Sequence, residues 1–172
     1  MDVALILLGA ILVTYGWYWG GVTESRTTAY ALGAASLMFG FWFAFTGGAG
    51  GDAVAGSMLA FAAIFGLLAA SNAWNESSQD RTYGMFALLF AIGSFFTYFY
   101  FADSVRASST PAQYGFGALV AGVVFLLHFI SAALISDNRG FKAFVGWMTL
   151  IAGAALVFFG FANALGVDFG TL

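Results

Sequence analysis

Six long apolar runs, near residues 3–19, 27–46, 53–73, 82–101, 114–135 and 141–165, are separated by short polar or glycine-rich breaks. A helix crossing ~30 Å of hydrocarbon needs roughly 20 apolar residues. The pattern therefore predicts an all-α integral membrane protein, a six-transmembrane-helix bundle occupying residues 1–172 as a single transmembrane domain. The first run starts at an acidic Asp2 rather than a basic leader and leads straight into a polar turn, which reads as a retained span. The breaks have their own chemistry. Residues 47–52 form a glycine-rich turn, and the only proline, Pro111, falls where it can open the fifth helix at its first turn.

Three breaks resemble one another. Glu24 precedes Arg26, Asp80 precedes Arg81 and Asp137 precedes Arg139, at near-equal intervals along the chain. Three helical hairpins, each turning on the same side of the membrane, would produce this repeat. Short loops that collect an acid and an arginine for solubility would produce it too. The basic residues then orient the bundle. Arg26, Arg81, Arg139 and Lys142 lie in or beside the first, third and fifth connections, and only Arg106 lies opposite. That bias puts connections 1, 3 and 5 in the cytoplasm and both the N and C termini outside, in a cell (inner or plasma) membrane.

Composition agrees with the pattern: 62% of residues are hydrophobic, 8% are charged and the mean hydropathy is +0.92. A soluble domain carries about 25% charged residues. All 13 charged side chains, 5 basic and 8 acidic, fall in or beside the breaks. The net charge of −3 is small and scattered, which points away from a nucleic-acid partner.

Enzymatic constellations are scarce. Cysteine is absent and His128 is the one histidine, so neither a thiolate cluster nor a multi-histidine metal site can be assembled, and no metal or cofactor is expected. The single lysine, Lys142, sits at a helix start, not inside a span where a retinal Schiff base would need it. Proton-relaying pumps carry intramembrane acids, and none of these runs has one.

What remains inside the runs is neutral and sparsely polar. Ala121, Val124, Phe125, His128 and Ser131 recur at helical spacing along one face of the fifth run. Thr149, Ala152, Gly153 and Asn163 mark the sixth, Ser57, Ser71 and Asn72 the third, and Thr14 and Tyr15 the first. Apolar walls with a few dipoles suit a narrow path for a small uncharged solute, the dipoles replacing its lost water. The same residues also serve simply to bond helices together. Small residues at four-residue spacing, such as Gly16 with Gly20, imply close helix packing. Trp17, Tyr18, Trp19, Trp74, Tyr98 and Tyr100 read as an interfacial belt, and Phe95, Phe96, Phe99 and Phe101 as facing lipid or a neighbouring subunit.

The stretch Leu7 to Gly16, followed by Arg26-Thr27-Thr28-Ala29, resembles the opening of the AmiS/UreI family of urea and short-chain amide channels. Leu68 to Asn72 and Asp80 to Ala91 are similar to that family's third-to-fourth helix signature, and Phe144-Val145-Gly146-Trp147 with Gly153 to its last helix. The resemblance implies six helices with outer termini, a homo-oligomer (a hexamer), and one solute path through each protomer. By position it makes Leu8, Leu12 and Phe125 pore walls. Gly66, Ala118 and Ala121 stand where the family has bulky aromatics, and Ala152 where it has a polar or acidic residue. The outer-face histidines associated with acid gating are missing.

The residues thus predict a passive channel, not an enzyme, for a small uncharged polar solute such as urea or a short-chain amide, not proton-gated and partnered by lipid. The pore-lining candidates are Leu8, Leu12, Tyr15, Gly66, Asn72, Ala121, Val124, Phe125, His128, Ser131 and Ala152. The rival expectation is a structural membrane subunit that scaffolds a larger complex. An acetate-type permease should show an Asn-Pro motif in its first helix, and the first run has no proline.

Overall fold

The computed structural model describes residues 2–22, 28, 31, 33–35, 37–38, 63–71, 74, 80–102 and 112–167. Among these residues the regular structure is helical throughout, with no strand. Helix α1 spans Asp2–Trp19, α2 Asp80–Ala102, α3 Ala112–Phe129 and α4 Arg139–Ala164. Residues 63–71 are helical as well. Most of the second expected run, the first half of the third, and the breaks carrying Arg26 and Arg106 lie outside the described residues. Three stretches, Tyr83–Ala102, Tyr114–Leu134 and Arg139–Ala164, are long and apolar enough to cross a membrane, and α1 contributes the shorter apolar stretch Leu5–Trp19. Helices are the natural product of such sequences, because hydrocarbon offers no partner for a backbone N–H or C=O outside the segment itself.

Helices α1 and α4 run antiparallel with their backbones in contact. A Cβ built on Gly9 would lie 2.6 Å from the Gly153 carbonyl oxygen, and one on Gly16 would lie 2.7 Å from that of Gly146. The partners are as bare: a Cβ on Gly153 would meet the Gly9 carbonyl oxygen at 2.7 Å, and one on Gly146 would strike the backbone of Trp19 and Gly20. Gly9 and Gly16 share the heptad spacing of Gly146 and Gly153, which returns a helix to nearly the same face. In lipid, where helices associate by packing and not by escape from water, bare backbone is what permits such an approach.

Helices α2 and α3 form a second antiparallel pair. Gly84 abuts Ala132 and Ala133, while the Phe95 ring rides over Gly122, 3.0 Å from where a Cβ would stand. Phe101 is buried and its ring lies 6.3 Å from that of Tyr114. Phe96 and Phe99 are exposed as their sequence positions suggest, at 72% and 66%, but Phe95 and Phe101 turn inward. The glycines opposite explain the difference for Phe95: a bare position on α3 leaves room for a ring that would otherwise face out.

The pairs are joined through α3 and α4. Asn163 Nδ2 donates to the Tyr114 hydroxyl at 3.0 Å near one end of the bundle, and His128 meets Thr149 near the other. Beyond the His128–Thr149 pair the α3–α4 connection turns tightly. The chain passes through a π-helical turn, Ile130–Leu134, closed by the Ile135 N–H donating to the Ile130 carbonyl at 2.9 Å. Asn138 then caps α4, its side-chain oxygen accepting from the Phe141 N–H at 2.9 Å. Removing such a cap costs roughly 1 kcal/mol. Asn138→Ala is therefore expected to lower the melting temperature in detergent by a few degrees, and Asn138→Asp to leave it near the wild-type value.

The core formed by these elements includes Leu8, Ile11, Leu12 and Tyr15 of α1, Phe65, Phe90 of α2, Val124 and Phe125 of α3 and Leu156 of α4, all buried. Outward faces are equally apolar. Leu89 and Ile92 on α2, and Phe144, Trp147, Ile151, Phe158 and Phe161 on α4, are exposed, as suits a hydrocarbon environment.

Candidate functional site

The polar centre of the bundle is built on α3. Ala121, Val124, Phe125 and His128 lie on its buried stripe, and Ser131 follows in the π turn. His128 has no solvent exposure, and neither does its partner Thr149 on α4. The two side chains are 2.8 Å apart, His128 Nε2 to Thr149 Oγ1. Thr149 also donates its hydroxyl proton to the Val145 carbonyl oxygen one turn earlier, at 2.7 Å. A hydroxyl has a single proton. With that proton committed to Val145, the Thr149 oxygen accepts from the imidazole, so the ring proton resides on Nε2. Nδ1 is left as a buried lone pair.

Rings from α1, from α2 and from residue 65 enclose this group. Trp19 of α1 stands edge-on to the imidazole at 4.7 Å between centroids, Tyr15 lies at 5.3 Å, Tyr83 of α2 at 6.1 Å and Phe65 at 6.3 Å. Phe65 is the hub. It lies 5.8 Å from Tyr15, 5.3 Å from Tyr83, 5.5 Å from Phe90 and 4.7 Å from Phe125. Edge-to-face pairs of this kind contribute about 0.5–1.5 kcal/mol beyond their burial. The centre is therefore a tightly packed aromatic constriction, not a wide lumen.

Two threonines bond back along their own helices. Thr14 donates to the Ala10 carbonyl at 2.8 Å and Thr97 to that of Gly93 at 2.9 Å. Two buried atoms of α3 and its π turn differ: among the described residues, His128 Nδ1 and Ser131 Oγ have no hydrogen-bond partner. A buried polar group left unmet costs about 1–3 kcal/mol. Both stand at or beside the π turn, a distortion that occurs often at functional sites.

Charge stops at the edge of the cluster. The Lys142 ammonium lies 5.8 Å from the centroid of the Trp19 ring, and the same indole meets His128. Trp19 thus touches both the charged start of α4 and the buried imidazole. Among the described residues no three His, Asp or Glu side chains come together as a metal site would require.

No family model, curated protein or solved structure matches the chain. The site therefore has to be read from its own geometry.

Of the residues singled out from sequence, Leu8, Leu12, Tyr15, Ala121, Val124 and Phe125 belong to one buried cluster, with Tyr15 and Phe125 meeting through Phe65. His128 and Ser131 lie beside them, Gly66 is buried next to Phe65, and Ala152 packs half-buried against the same cluster. Asn72 falls outside the described residues. Asn163 does not join the cluster, being bonded to Tyr114.

The sequence reading did not single out Phe65, Tyr83, Phe90 or Trp19 for this site. Trp19 had the flank of an interfacial residue, and Trp17 and Trp74 are indeed exposed, but the Trp19 ring packs inward. The available signal was Gly16 and Gly20: once α1 is known to press a glycine face on α4, Tyr15 and Trp19 follow as the neighbouring inward positions.

Proposed function

We propose that the protein is a passive six-span membrane channel that conducts a small uncharged polar solute, such as urea or a short-chain amide, without proton gating. In this reading it lies in the cell's inner or plasma membrane with both termini outside and connections 1, 3 and 5 in the cytoplasm. It works as a homo-oligomer, a hexamer if the likeness to amide channels holds.

The observation that carries the reading is the junction around His128: a neutral, fully buried, ring-lined centre in which His128 Nδ1 and Ser131 Oγ have no partner within the described protein. A pure seam between helices gains from pairing every polar atom. A conduit instead keeps a few dipoles free to replace the water a solute sheds, while apolar walls limit its size. Leu8, Leu12 and Phe125 serve as those walls, and Ala121 and Ala152 leave space beside them. Among the described residues the buried cluster holds no Asp, Glu, Lys or Arg, so no fixed charge there holds an ion. The rings close on one another at centroid distances of 4.7–6.3 Å, so passage requires side-chain motion, and permeation is slow and size-limited.

The test is stopped-flow shrinkage of proteoliposomes with urea, acetamide and glycerol. Urea and acetamide are expected to cross faster than in protein-free vesicles, at rates unchanged by a proton or sodium gradient. Equal rates with and without protein would reject the channel and leave the cluster as the seam of a structural subunit.

A further inference from the structure

We infer that Thr149 sets the hydrogen-bond polarity of the buried cluster, so that a solute lodging there must bring its own N–H or O–H to His128 Nδ1. The inference deepens the channel reading and rests on it for the solute's route, though not for the chemistry of the site.

The argument follows the protons. Thr149 donates to Val145 and so can only accept from the imidazole. The imidazole in turn must hold its proton on Nε2. Nδ1 is then an acceptor, buried and unmet among the described residues. If Nδ1 carried a proton instead, Thr149 would have to turn its one proton from Val145 to Nε2. The Thr149 and Val145 oxygens would then stand 2.7 Å apart with no proton between them, which is repulsive. Trp19 packs against the ring edge-on at 4.7 Å and Tyr15 lies at 5.3 Å.

Ser131 completes the recognition. It follows His128 on the same stripe and is also buried, with no partner among the described residues. Positions three apart on a helix hold their Cβ atoms about 5–6 Å apart. A molecule that donates at one end and accepts at the other can span them: its N–H to Nδ1, its carbonyl oxygen to the Ser131 hydroxyl. An acceptor-only solute of similar size finds one partner and leaves Nδ1 bare. Sites that bond a solute donor discriminate strongly against analogues lacking it, because the buried partner is then stranded. Thr149 is thus a positioning residue for selectivity, although it meets the solute only through His128.

Because His128 is the sole histidine, histidine labelled with ¹⁵N and ¹³C gives just two ring-nitrogen signals for the full chain in liposomes, assigned through the ring carbons. We expect a pyrrole-type Nε2 and a pyridine-type Nδ1, with Nδ1 moving on addition of formamide and staying put with dimethyl sulfoxide. Thr149→Val should mix the two tautomers and reduce the formamide response several-fold, and Thr149→Ser should restore both. A pyrrole-type Nδ1, equal responses to the two solutes, or valine and serine variants that both match wild type would overturn the inference. Urea flux measured on the same vesicles separates the two readings. Flux with an unmoved Nδ1 sinks the donor rule alone. A responding Nδ1 without flux sinks the channel and leaves the donor rule standing.

Discussion

Gly153→Leu is expected to leave no folded protein. A Cβ at this position would lie 2.6 Å from the Val13 nitrogen and 2.7 Å from the Gly9 carbonyl oxygen, both backbone atoms that no rotamer change can move. Overpacking a well-fitted core costs roughly 1–3 kcal/mol when neighbouring side chains can adjust. Here α1 and α4 must separate along their whole seam, and Gly9, Gly16 and Gly146 lose their contact with it. Folded proteins have only about 5–15 kcal/mol in hand. Monodisperse elution after detergent extraction, followed by a melting curve, reads the outcome. Gly93→Leu is the control, since among the described residues nothing lies within 4 Å of a Cβ there, and it should elute and melt as wild type. Wild-type behaviour of Gly153→Leu would mean that α1 and α4 do not meet on this face.

Phe65→Ala is expected to have two large effects at once. The ring is 1% exposed and touches five other rings, those of Tyr15, Tyr83, Phe90, Phe125 and His128. Truncating a buried phenylalanine costs about 3–5 kcal/mol, as lost burial plus the cavity left behind, so the melting temperature should fall steeply. In the channel reading the same cavity widens the constriction. Vesicles carrying folded Phe65→Ala should therefore admit glycerol, which the wild-type rings hold back, and should lose some preference for urea. A destabilised variant with an unchanged solute profile would place the route elsewhere in the bundle.

The helices were legible because length and greasiness alone decide them. The apolar runs 82–101, 114–135 and 141–165 sit where α2, α3 with its π turn, and α4 are found. The stripe on α3 was legible for a similar reason: Ala121, Val124, Phe125 and His128 keep helical spacing, and one helix needs no knowledge of its neighbours to reveal a face. The rest of the cluster depends on register between helices. Phe65 and Tyr83 stand among 21 phenylalanines and 7 tyrosines, and nothing local distinguishes a ring that meets His128 from one that meets lipid. Thr149 was visible as a polar residue in a span, but its pairing with His128 is set by how α4 lies along α3. The π turn left no local mark in Ile130–Leu134, whose residues would suit an ordinary helix. Phe95 and Phe101 show the same limit from the other side, both lying in an aromatic-rich stretch where only Gly122 and Tyr114 across the gap select the inward rings.

The glycine seam has a consequence for how the protein is made. Its two halves, Gly9 with Gly16 and Gly146 with Gly153, belong to the first and last helices described. As the ribosome delivers the chain from its N-terminal end, α1 enters the bilayer long before its mate exists. Domains built from early segments can settle during synthesis, but this bundle cannot close until α4 arrives. Until then the bare face of α1 is open to any helix small enough to fit, and a premature partner there would block the native pairing.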